Sequence, residues 1–284
     1  MSRLSVPGSS SLVERAMEVL GSAPAARWLA ASALEASDPS AVLEAMIFRL
    51  ESGEPLQYVM GTWQFRFLEL SVDARALIPR PETEQVVEVA LGLLAEQVAK
   101  SDVILAADLG TGSGAIALSL ATETCLGESD PELMVWATDV SAGAIALAAE
   151  NILRTAETYP RVTSRVELAR GAWFDALSPE LAGRLSLLVS NPPYLSATEF
   201  QGLDRSIRDH EPCSALVAGE RGTEALEEII ARAPAWLRPG GALVCEIAPH
   251  QAPEVARMAI GAGLGEVRVE TDLAGRPRVL VGRR

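Results

Sequence analysis

Residues 103–115 read Val-Ile-Leu-Ala-Ala-Asp-Leu-Gly-Thr-Gly-Ser-Gly-Ala, and this segment decides the fold. The apolar run Val103–Ala107 predicts a buried strand, and the glycines after Asp108 predict a tight loop leading into a helix at Ala115. Glycines let the backbone turn sharply and leave room for a ligand at the N-terminus of the helix. The segment therefore predicts a strand–loop–helix unit with a ligand site at its loop.

The same alternation of strand and helix continues along the chain. Further apolar runs are found at Leu133–Ala137, Val166–Ala169, Leu185–Val189 and Ala242–Cys245, and helical segments at Ile116–Ala121, Ala142–Leu153 and Glu224–Trp236. Two more strands, joined by a turn around Gly275, are expected near the C-terminus at Glu266–Glu270 and Arg278–Val281. This order predicts an α/β fold, a parallel sheet with helices on both faces.

The chain before this region has a different pattern. Apolar residues recur at helical spacing over Leu12–Leu20 and Val42–Leu50, and Asp38 is placed to cap the second helix, with Pro39 in its first turn. Residues Thr62–Val72 alternate instead, which favours a strand or a hairpin. We therefore predict a helical domain over residues 1–60, a β-hairpin connector over 61–80 and a larger domain over 81–284.

Composition excludes several classes of protein. With 49% hydrophobic and 22% charged residues, the 284-residue chain has the balance of a globular enzyme. Its three cysteines are widely spaced and it has two histidines, which argues against a disulfide framework and a metal site. No secretory signal or apolar run long enough to span a membrane is visible, so we expect a cytoplasmic protein. The net charge of −14 disfavours a nucleic-acid substrate.

The glycine loop limits the ligand to two classes of cofactor. Gly110-x-Gly112-x-x-Ala115 satisfies the dinucleotide fingerprint, so the loop by itself does not distinguish NAD from S-adenosylmethionine. Asp108 favours S-adenosylmethionine, because a carboxylate accepts from the ammonium of a methionine moiety but repels a pyrophosphate. A glycine turn that only packs the helix on the strand is the alternative. The candidate cofactor-binding residues of the loop are Asp108, Gly110, Thr111, Gly112, Ser113 and Gly114.

Two later positions extend this candidate site. Asp139 ends the next predicted strand, where acidic residues of nucleotide-binding α/β folds accept from ribose hydroxyls. Capping the helix near Ser141 is the alternative role for Asp139. Trp173 follows the third predicted strand and is expected to stack on adenine, although core packing would also explain it. The neighbouring Phe174 is assigned to the core.

The chemistry is predicted to lie at Asn191-Pro192-Pro193-Tyr194, directly after the strand over 185–189. Ligands of open α/β sheets bind outside the carboxyl ends of the strands, which places this segment beside the glycine loop. Two prolines remove two N–H donors and stiffen the turn, so the Asn191 side-chain oxygen and the Pro192 carbonyl can accept both hydrogens of a substrate NH₂ group. Tyr194 offers a flat face to the same nitrogen.

Such acceptors suit an amide or exocyclic amine nitrogen, whose delocalised lone pair makes it a poor nucleophile. Holding its two hydrogens aims the nitrogen at a methyl group and supports the positive charge that develops there. Asn191, Pro192, Pro193 and Tyr194 are therefore the candidate catalytic and substrate-binding residues. A rigid proline turn with a buried tyrosine is the alternative.

Several segments carry a resemblance to a known family. They are Gly53-Glu-Pro-Leu-Gln-Tyr-Val-Met-Gly61, Leu77-Ile-Pro-Arg-Pro-Glu-Thr-Glu84, the glycine loop, Asn191–Tyr194, and Glu211-Pro212 with Ala215-Leu216 and Gly219. Over nearly its whole length the chain resembles the PrmC/HemK family, protein-glutamine methyltransferases that modify the Gly-Gly-Gln glutamine of peptide chain release factors. Asn-Pro-Pro-Tyr is shared with adenine methyltransferases, whereas the segment Leu77–Glu84 is more specific.

The resemblance implies a Rossmann-like, class I S-adenosylmethionine-dependent methyltransferase sheet with a small N-terminal helical domain and a β-hairpin connector. It implies that Gly110–Gly114, Asp139, Trp173 and Asn191 bind S-adenosylmethionine. It also implies that Asn191–Tyr194 hold the glutamine and that the helical domain contacts the release factor.

Alternative functions follow from the same residues. An adenine-N6 methyltransferase acting on DNA or RNA would present a similar planar NH₂ group, but the acidic charge argues against it. An NAD-dependent oxidoreductase would leave Asn191–Tyr194 unexplained, and a non-catalytic cofactor-binding protein would have no use for its acceptors. Arg80 and Glu82 either border the cofactor site or cap and pair at the start of a helix over Glu82–Ala99, and His210 is assigned to the surface or to packing.

Overall fold

The computed structural model describes residues 9–98, 103–124 and 132–284. Its N-terminal part consists of helices, α1 Ser9–Leu20, α2 Ala23–Ala33, α3 Pro39–Glu51 and α4 Leu56–Met60. Asp38 caps α3, since its side chain accepts from the Ala41 amide at 3.1 Å. These helices share a small apolar core that includes Leu12, Ala16, Leu29, Leu43 and Ile47.

The chain divides into two compact units. The helical unit comprises the residues up to Thr62 together with Asp204–His210, and the sheet unit comprises Trp63–Leu203 and Glu211–Arg284. The short segment Asp204–His210 is inserted in the sequence of the sheet unit, and no pattern in the sequence indicates that it belongs with the N-terminal helices. The functional roles predicted for 1–60 and 61–80 stay predictions.

The sheet unit is built on one seven-stranded sheet of described residues. Its strands are β3 Val103–Leu109, β4 Glu132–Asp139, β5 Val166–Arg170, β6 Leu185–Ser190, β9 Leu237–Glu246, β10 Gly265–Thr271 and β11 Pro277–Arg283. Their order across the sheet is β10-β11-β9-β6-β3-β4-β5. Strands β4 and β5 lie on one side of β3, and the later strands β6 and β9 lie on its other side. The carboxyl ends of β3 and β6 therefore flank the switch point where ligands of α/β sheets bind.

The predicted parallel sheet is confirmed for the five strands β9, β6, β3, β4 and β5, whereas the edge formed by β10 and β11 differs. Strand β11 is antiparallel to β9 and to β10. The connection from β10 to β11 spans Asp272–Arg276, with Gly275 at φ 75°. A connection this short cannot make the crossover that a parallel pair requires, so the C-terminal strands form an antiparallel hairpin.

Helices cover both faces of the sheet, as predicted. They are α5 Pro81–Val98, α6 Ala115–Glu123, α7 Ala142–Ala156, α8 Val162–Arg165, α11 Glu224–Trp236 and α12 Ala252–Gly261. The short helix α9 Ala197–Gln201 packs on a separate small sheet, and α10 Arg205–Arg208 belongs to the helical unit. The six residues of β6 are all buried, because Leu187 and Val189 pack in one apolar cluster and Leu188 in the other. Burial on both faces explains why this strand reads as an unbroken apolar run.

Two smaller sheets complete the fold. Strands β1 Thr62–Phe65 and β2 Leu68–Ser71 form the predicted hairpin, and Phe65 is buried while Phe67 in its turn is exposed. Strands β7 Leu195–Ser196 and β8 Val217–Gly219 form a short parallel pair beyond β6 that the sequence did not indicate. Short 3₁₀ turns are found at Trp173–Ala176, Pro179–Leu181, Cys213–Ala215 and Pro249–Gln251.

Candidate active site

The glycine loop joins β3 to α6 as predicted, and its glycines have backbone angles that other residues rarely adopt. Gly110 has φ 76° and Gly112 has φ 57°. A Cβ atom on Gly110 would lie 3.2 Å from the Trp173 ring, so the close approach of loop and ring depends on the missing side chain. The amides of Gly110 and Thr111 donate to the Thr138 carbonyl at 2.9 and 2.8 Å, which ties the loop to β4.

Asp108 is fully buried and lies behind the loop, not in the wall of the cleft described below. Its Oδ2 accepts from the Thr111 hydroxyl at 2.6 Å and from the Ala117 amide at 3.2 Å, while Oδ1 has no partner among the described residues. Burial raises the pKa of Asp108 to about 7, and the charge of Asp139 adds to the rise that those two hydrogen bonds oppose. Asp108 thus holds the loop to α6, and its contact with a ligand stays a prediction.

Asp139 lies at the carboxyl end of β4 and in the wall of the cleft. Its Oδ2 accepts from the Gly112 amide at 3.0 Å and its Oδ1 from the Ser141 amide at 2.8 Å. The helix cap is Ser141, whose hydroxyl accepts from the Ala144 amide, so capping α7 is not the role of Asp139. The carboxylate is held in place by two backbone donors and retains lone pairs for further hydrogen bonds.

Of the two aromatic residues after β5, Phe174 has the surroundings predicted for it, whereas Trp173 both lines the cleft and packs against the core cluster. Phe174 is buried and stacks on Trp236, with ring centroids 5.5 Å apart, which confirms its place in the core. Trp173 lines the cleft and has φ 44°, an unusual backbone angle for a residue with a large side chain. This conformation places the indole against Gly110.

The Asn-Pro-Pro-Tyr turn follows β6 and lies beside the glycine loop, as predicted. The Ser190 hydroxyl donates to the Leu109 carbonyl at 2.6 Å and so joins the end of β6 to the end of β3. Asn191 and Pro193 lie in the cleft wall, whereas Pro192 is buried and is not part of the wall. No hydrogen bond from a described residue occupies the Pro192 carbonyl.

Tyr194 is also outside the cleft wall. Its hydroxyl faces Glu246 at 3.4 Å, and burial, with the nearby carboxylate second, raises the pKa of the phenol. Its carbonyl accepts from Gln251 Nε2, which donates also to the Gly222 carbonyl. A Cβ on Gly222 would lie 2.9 Å from both the Tyr194 oxygen and the Ser196 nitrogen, so the turn needs glycine at this contact.

Sequence reasoning missed two residues that shape this region. Thr83 lines the cleft, and its hydroxyl accepts from Asn191 Nδ2 at 3.0 Å. Glu211 is buried and accepts from the Ile78 amide at 3.2 Å and from Arg80 Nη2 at 2.5 Å. Both lie in segments quoted above for the resemblance, and nothing else in the sequence marks them.

Arg80 therefore pairs with Glu211 rather than at the start of α5, and the pair joins two segments of the sheet unit. Glu82 lies in the first turn of α5, one of the two places considered for it, and its carboxylate pairs with Arg276 of the β10–β11 connection at 3.6 Å. His210 belongs to the helical unit and is not among the residues that line the cleft.

The cleft is open, and its empty volume of about 1060 Å³ includes space continuous with the solvent. Of the predicted site residues, the structure brings to its wall Gly110, Thr111, Gly112, Ser113, Asp139, Trp173, Asn191 and Pro193. Those outside the wall are Asp108, Gly114, Pro192 and Tyr194. Within the described residues, no group of acidic, His or Cys side chains is arranged to hold a metal ion, and no helix has the length and apolar character to cross a bilayer.

Comparison with known proteins identifies the class. Residues 83–205 match the family model described as "Methyltransferase small domain". The fold is similar to that of the hMettl16 catalytic domain, solved in complex with the MAT2A 3'UTR hairpin 6. The TM-score is 0.55 at 15% identity, over 86% of this chain and 80% of that one. At this identity the likeness shows the fold alone. Fold and family together define a class I methyltransferase.

Curated relatives narrow the class further. A release factor glutamine methyltransferase from Gloeobacter violaceus is 40% identical over 82% of this chain and 76% of its own length. One from Xylella fastidiosa strain 9a5c is 40% identical over 90% of this chain and 83% of its own length. The chain belongs to the release factor glutamine methyltransferase family, which confirms the family resemblance.

Proposed function

We propose that this protein transfers the methyl group of S-adenosylmethionine to the side-chain amide nitrogen of the glutamine in the Gly-Gly-Gln loop of peptide chain release factors. The proposal combines the family with the arrangement of acceptors at Asn191 and Pro192. It places the reaction in the cytoplasm, where release factors act, and requires neither a metal ion nor a membrane.

The residues of the cleft fit S-adenosylmethionine. Gly110–Ser113 lack large side chains and leave open space in front of α6, which an adenosyl-methionine ligand would occupy. Asp139 and Trp173 lie in the cleft wall, and we assign the Asp139 carboxylate to the ribose hydroxyls and the Trp173 indole to adenine. When bound, the cofactor supplies an electrophilic methyl group on a sulfonium. We also assign Asn191 a cofactor contact, because it lies in the same wall.

The turn Asn191–Tyr194, called the acceptor turn from here on, prepares the glutamine nitrogen for reaction. Asn191 Oδ1 and the Pro192 carbonyl oxygen are to accept the two amide hydrogens, which fixes the plane of the amide and the direction of its nitrogen. Both oxygens carry partial negative charge and stabilise the positive charge that develops on the nitrogen. Pro193, which lies in the cleft wall, and Tyr194, which lies outside it, restrict the movement of the turn.

A single observation carries this proposal. Asn191 donates through Nδ2 to Thr83, and no described residue donates to its Oδ1. The Asn191 side-chain oxygen at the cleft wall is thus free to accept a hydrogen bond, because the NH₂ group of the same amide is engaged with Thr83. The substrate that matches such a site carries an NH₂ donor, which a primary amide provides.

The test is methyl transfer from labelled S-adenosylmethionine to purified release factor, followed by mass spectrometry of the Gly-Gly-Gln peptide. We expect one added methyl group on the glutamine, and none on a release factor in which that glutamine is replaced by alanine. DNA and RNA serve as parallel acceptors, because adenine also presents a planar NH₂ group. Methylated adenine beside unmodified release factor would replace this proposal with the nucleic-acid alternative.

A further inference from the structure

A buried carboxylate without an assigned role lies behind the acceptor turn. Glu246 ends β9 and is 1% exposed, and it is not part of the cleft wall. The Thr83 hydroxyl donates to its Oε2 at 2.7 Å, and the Tyr194 hydroxyl faces its Oε1 at 3.4 Å. Burying a carboxylate is unfavourable unless its oxygens accept hydrogen bonds, so this placement calls for an explanation.

The hydrogen bonds that link Glu246, Thr83 and Asn191 have one consistent donor-to-acceptor direction while Glu246 is ionised. An ionised carboxylate can only accept, so the proton of the Thr83 hydroxyl is committed to Glu246. The same hydroxyl oxygen then has only lone pairs left, and what approaches it must be a donor. Asn191 Nδ2 is this donor, at 3.0 Å from the Thr83 hydroxyl oxygen. The Oδ1 atom of the same amide is therefore the one available to a substrate.

We propose that Thr83 and Glu246 are positioning residues of the methyl transfer, which fix the Asn191 amide with its oxygen toward the acceptor nitrogen. This inference rests on the proposed function. Rotation of an asparagine amide about its last torsion meets broad, roughly two-fold minima, so the amide by itself has little preference for either end. A flipped amide would present NH₂ to a substrate NH₂ group, and two donors cannot pair.

The charge state of Glu246 controls the direction of these bonds. Burial raises its pKa to about 6, and the Thr83 hydrogen bond and the charge of Arg278 oppose the rise while the charge of Glu82 adds to it. Tyr194 is the other titratable group in contact. A protonated Glu246 donates to Thr83, whose hydroxyl proton then turns toward Asn191 and favours the flipped amide. Turnover should therefore fall as the pH drops through about 6.

The test compares Thr83→Val, which removes the hydroxyl at nearly constant shape, with Thr83→Ser, which retains it. The acceptor is whichever of release factor, RNA or DNA the wild-type protein methylates, so a failure of the proposed substrate leaves this experiment intact. We expect kcat to fall about tenfold to a hundredfold in Thr83→Val and to recover in Thr83→Ser. The Kd of S-adenosylmethionine and the KM of the acceptor should stay within roughly threefold of wild type.

A matched control is Thr122→Val. Thr122 is also a buried threonine, its hydroxyl donates within α6 to the Leu118 carbonyl, and it does not line the cleft. It reports the general effect of losing a buried hydroxyl and should leave kcat at the wild-type value. Wild-type kcat in Thr83→Val, or a Thr83→Ser enzyme as slow as Thr83→Val, would overturn the inference.

The pH profile gives an independent measurement. In the wild-type protein kcat should decline as the pH drops through about 6, and Glu246→Gln should lack the part of this decline that Glu246 causes, because that titrating group is gone. Asp108 also titrates in this region, with a pKa of about 7, but it is unchanged in the variant and contributes equally to both profiles. An identical acidic decline in wild type and Glu246→Gln would contradict the role given to Glu246.

Discussion

At the scale of single residues, the acceptor role of Asn191 gives the sharpest prediction. Replacing Asn191 with alanine removes the side-chain oxygen and should lower kcat by about a hundredfold or more, because the acceptor nitrogen loses its orientation and its charge stabilisation. Binding of S-adenosylmethionine should weaken by no more than about tenfold, or 1.4 kcal/mol. Steady-state kinetics and calorimetry measure the two effects, with a melting curve to verify the fold. Near-normal turnover would refute the mechanism.

Asp108 gives a prediction about stability and pH. Its pKa in the folded protein is about 7, above the value of 3.8 expected when it is exposed, because burial disfavours the charge. The folded state therefore holds a proton that the unfolded state has lost. The stability contributed by this proton falls as the pH rises toward 7 and levels off above it.

In numbers, the free energy of unfolding contributed by Asp108 should fall by about 1.4 kcal/mol between pH 6 and pH 8. The variant Asp108→Asn does not titrate and should lack this part of the decline. Urea unfolding of both ligand-free proteins across this range measures the difference. Parallel curves for wild type and variant would mean that the pKa of Asp108 is not raised.

At the scale of elements, the acceptor turn is held by neighbours from other parts of the sheet unit. Gln251, in the 3₁₀ turn before α12, donates to the Tyr194 and Gly222 carbonyls and accepts from the Ala248 amide. Ser190 ties the start of the turn to β3. Two rigid prolines between fixed ends leave the turn little freedom, which is the preorganisation that an acceptor site requires.

Gly222→Ala tests this support. Its Cβ would lie 2.9 Å from the Tyr194 oxygen, and the φ of 82° is itself unfavourable for alanine. We expect a destabilisation of about 1–3 kcal/mol and a lower kcat as the turn is displaced. The matched control is Gly92→Ala in α5, where a Cβ meets nothing within 4 Å, so stability should stay equal or rise by about 0.5–1 kcal/mol. Equal melting temperatures for both variants would show that the contact with Tyr194 is not tight.

At the scale of the whole molecule, we propose that the two compact units have different tasks. Every residue of the cleft wall lies in the sheet unit, so the chemistry needs no residue of the helical unit in that wall. We assign the helical unit to recognition of the release factor, since binding energy from surfaces remote from the reacting atoms raises the rate with a large substrate.

Deleting residues 1–51 should therefore lower kcat/KM for the release factor by about a hundredfold or more, because remote binding energy is lost. The Kd of S-adenosylmethionine should remain within about threefold, which also verifies that the sheet unit is folded. A short Gly-Gly-Gln peptide is the control acceptor, and full-length and shortened proteins should methylate it at similar low rates. Equal loss with peptide and release factor would assign the helical unit a structural role instead.

The sequence by itself determined the α/β class, the strand order along the chain, the glycine loop, the hairpin and the place of the Asn-Pro-Pro-Tyr turn. These features are local: buried strands read as apolar runs, glycines and prolines mark turns, and Asp38 marks the start of a helix. The place of eight predicted site residues in the cleft wall followed, because the carboxyl ends of parallel strands meet at one edge. The turn around Gly275 between the last two strands was predicted as well, but not that these strands lie antiparallel at the edge of the sheet.

Only the tertiary structure decided which side chains pair. Thr83 bonds to Asn191 across 108 residues and to Glu246 across 163, and Arg80 bonds to Glu211 across 131. It also decided that Asp108 is buried behind the loop and that Asp204–His210 joins the N-terminal helices. A buried polar group must find its partner among residues brought close by folding, and sequence separation carries no information on which residues those are.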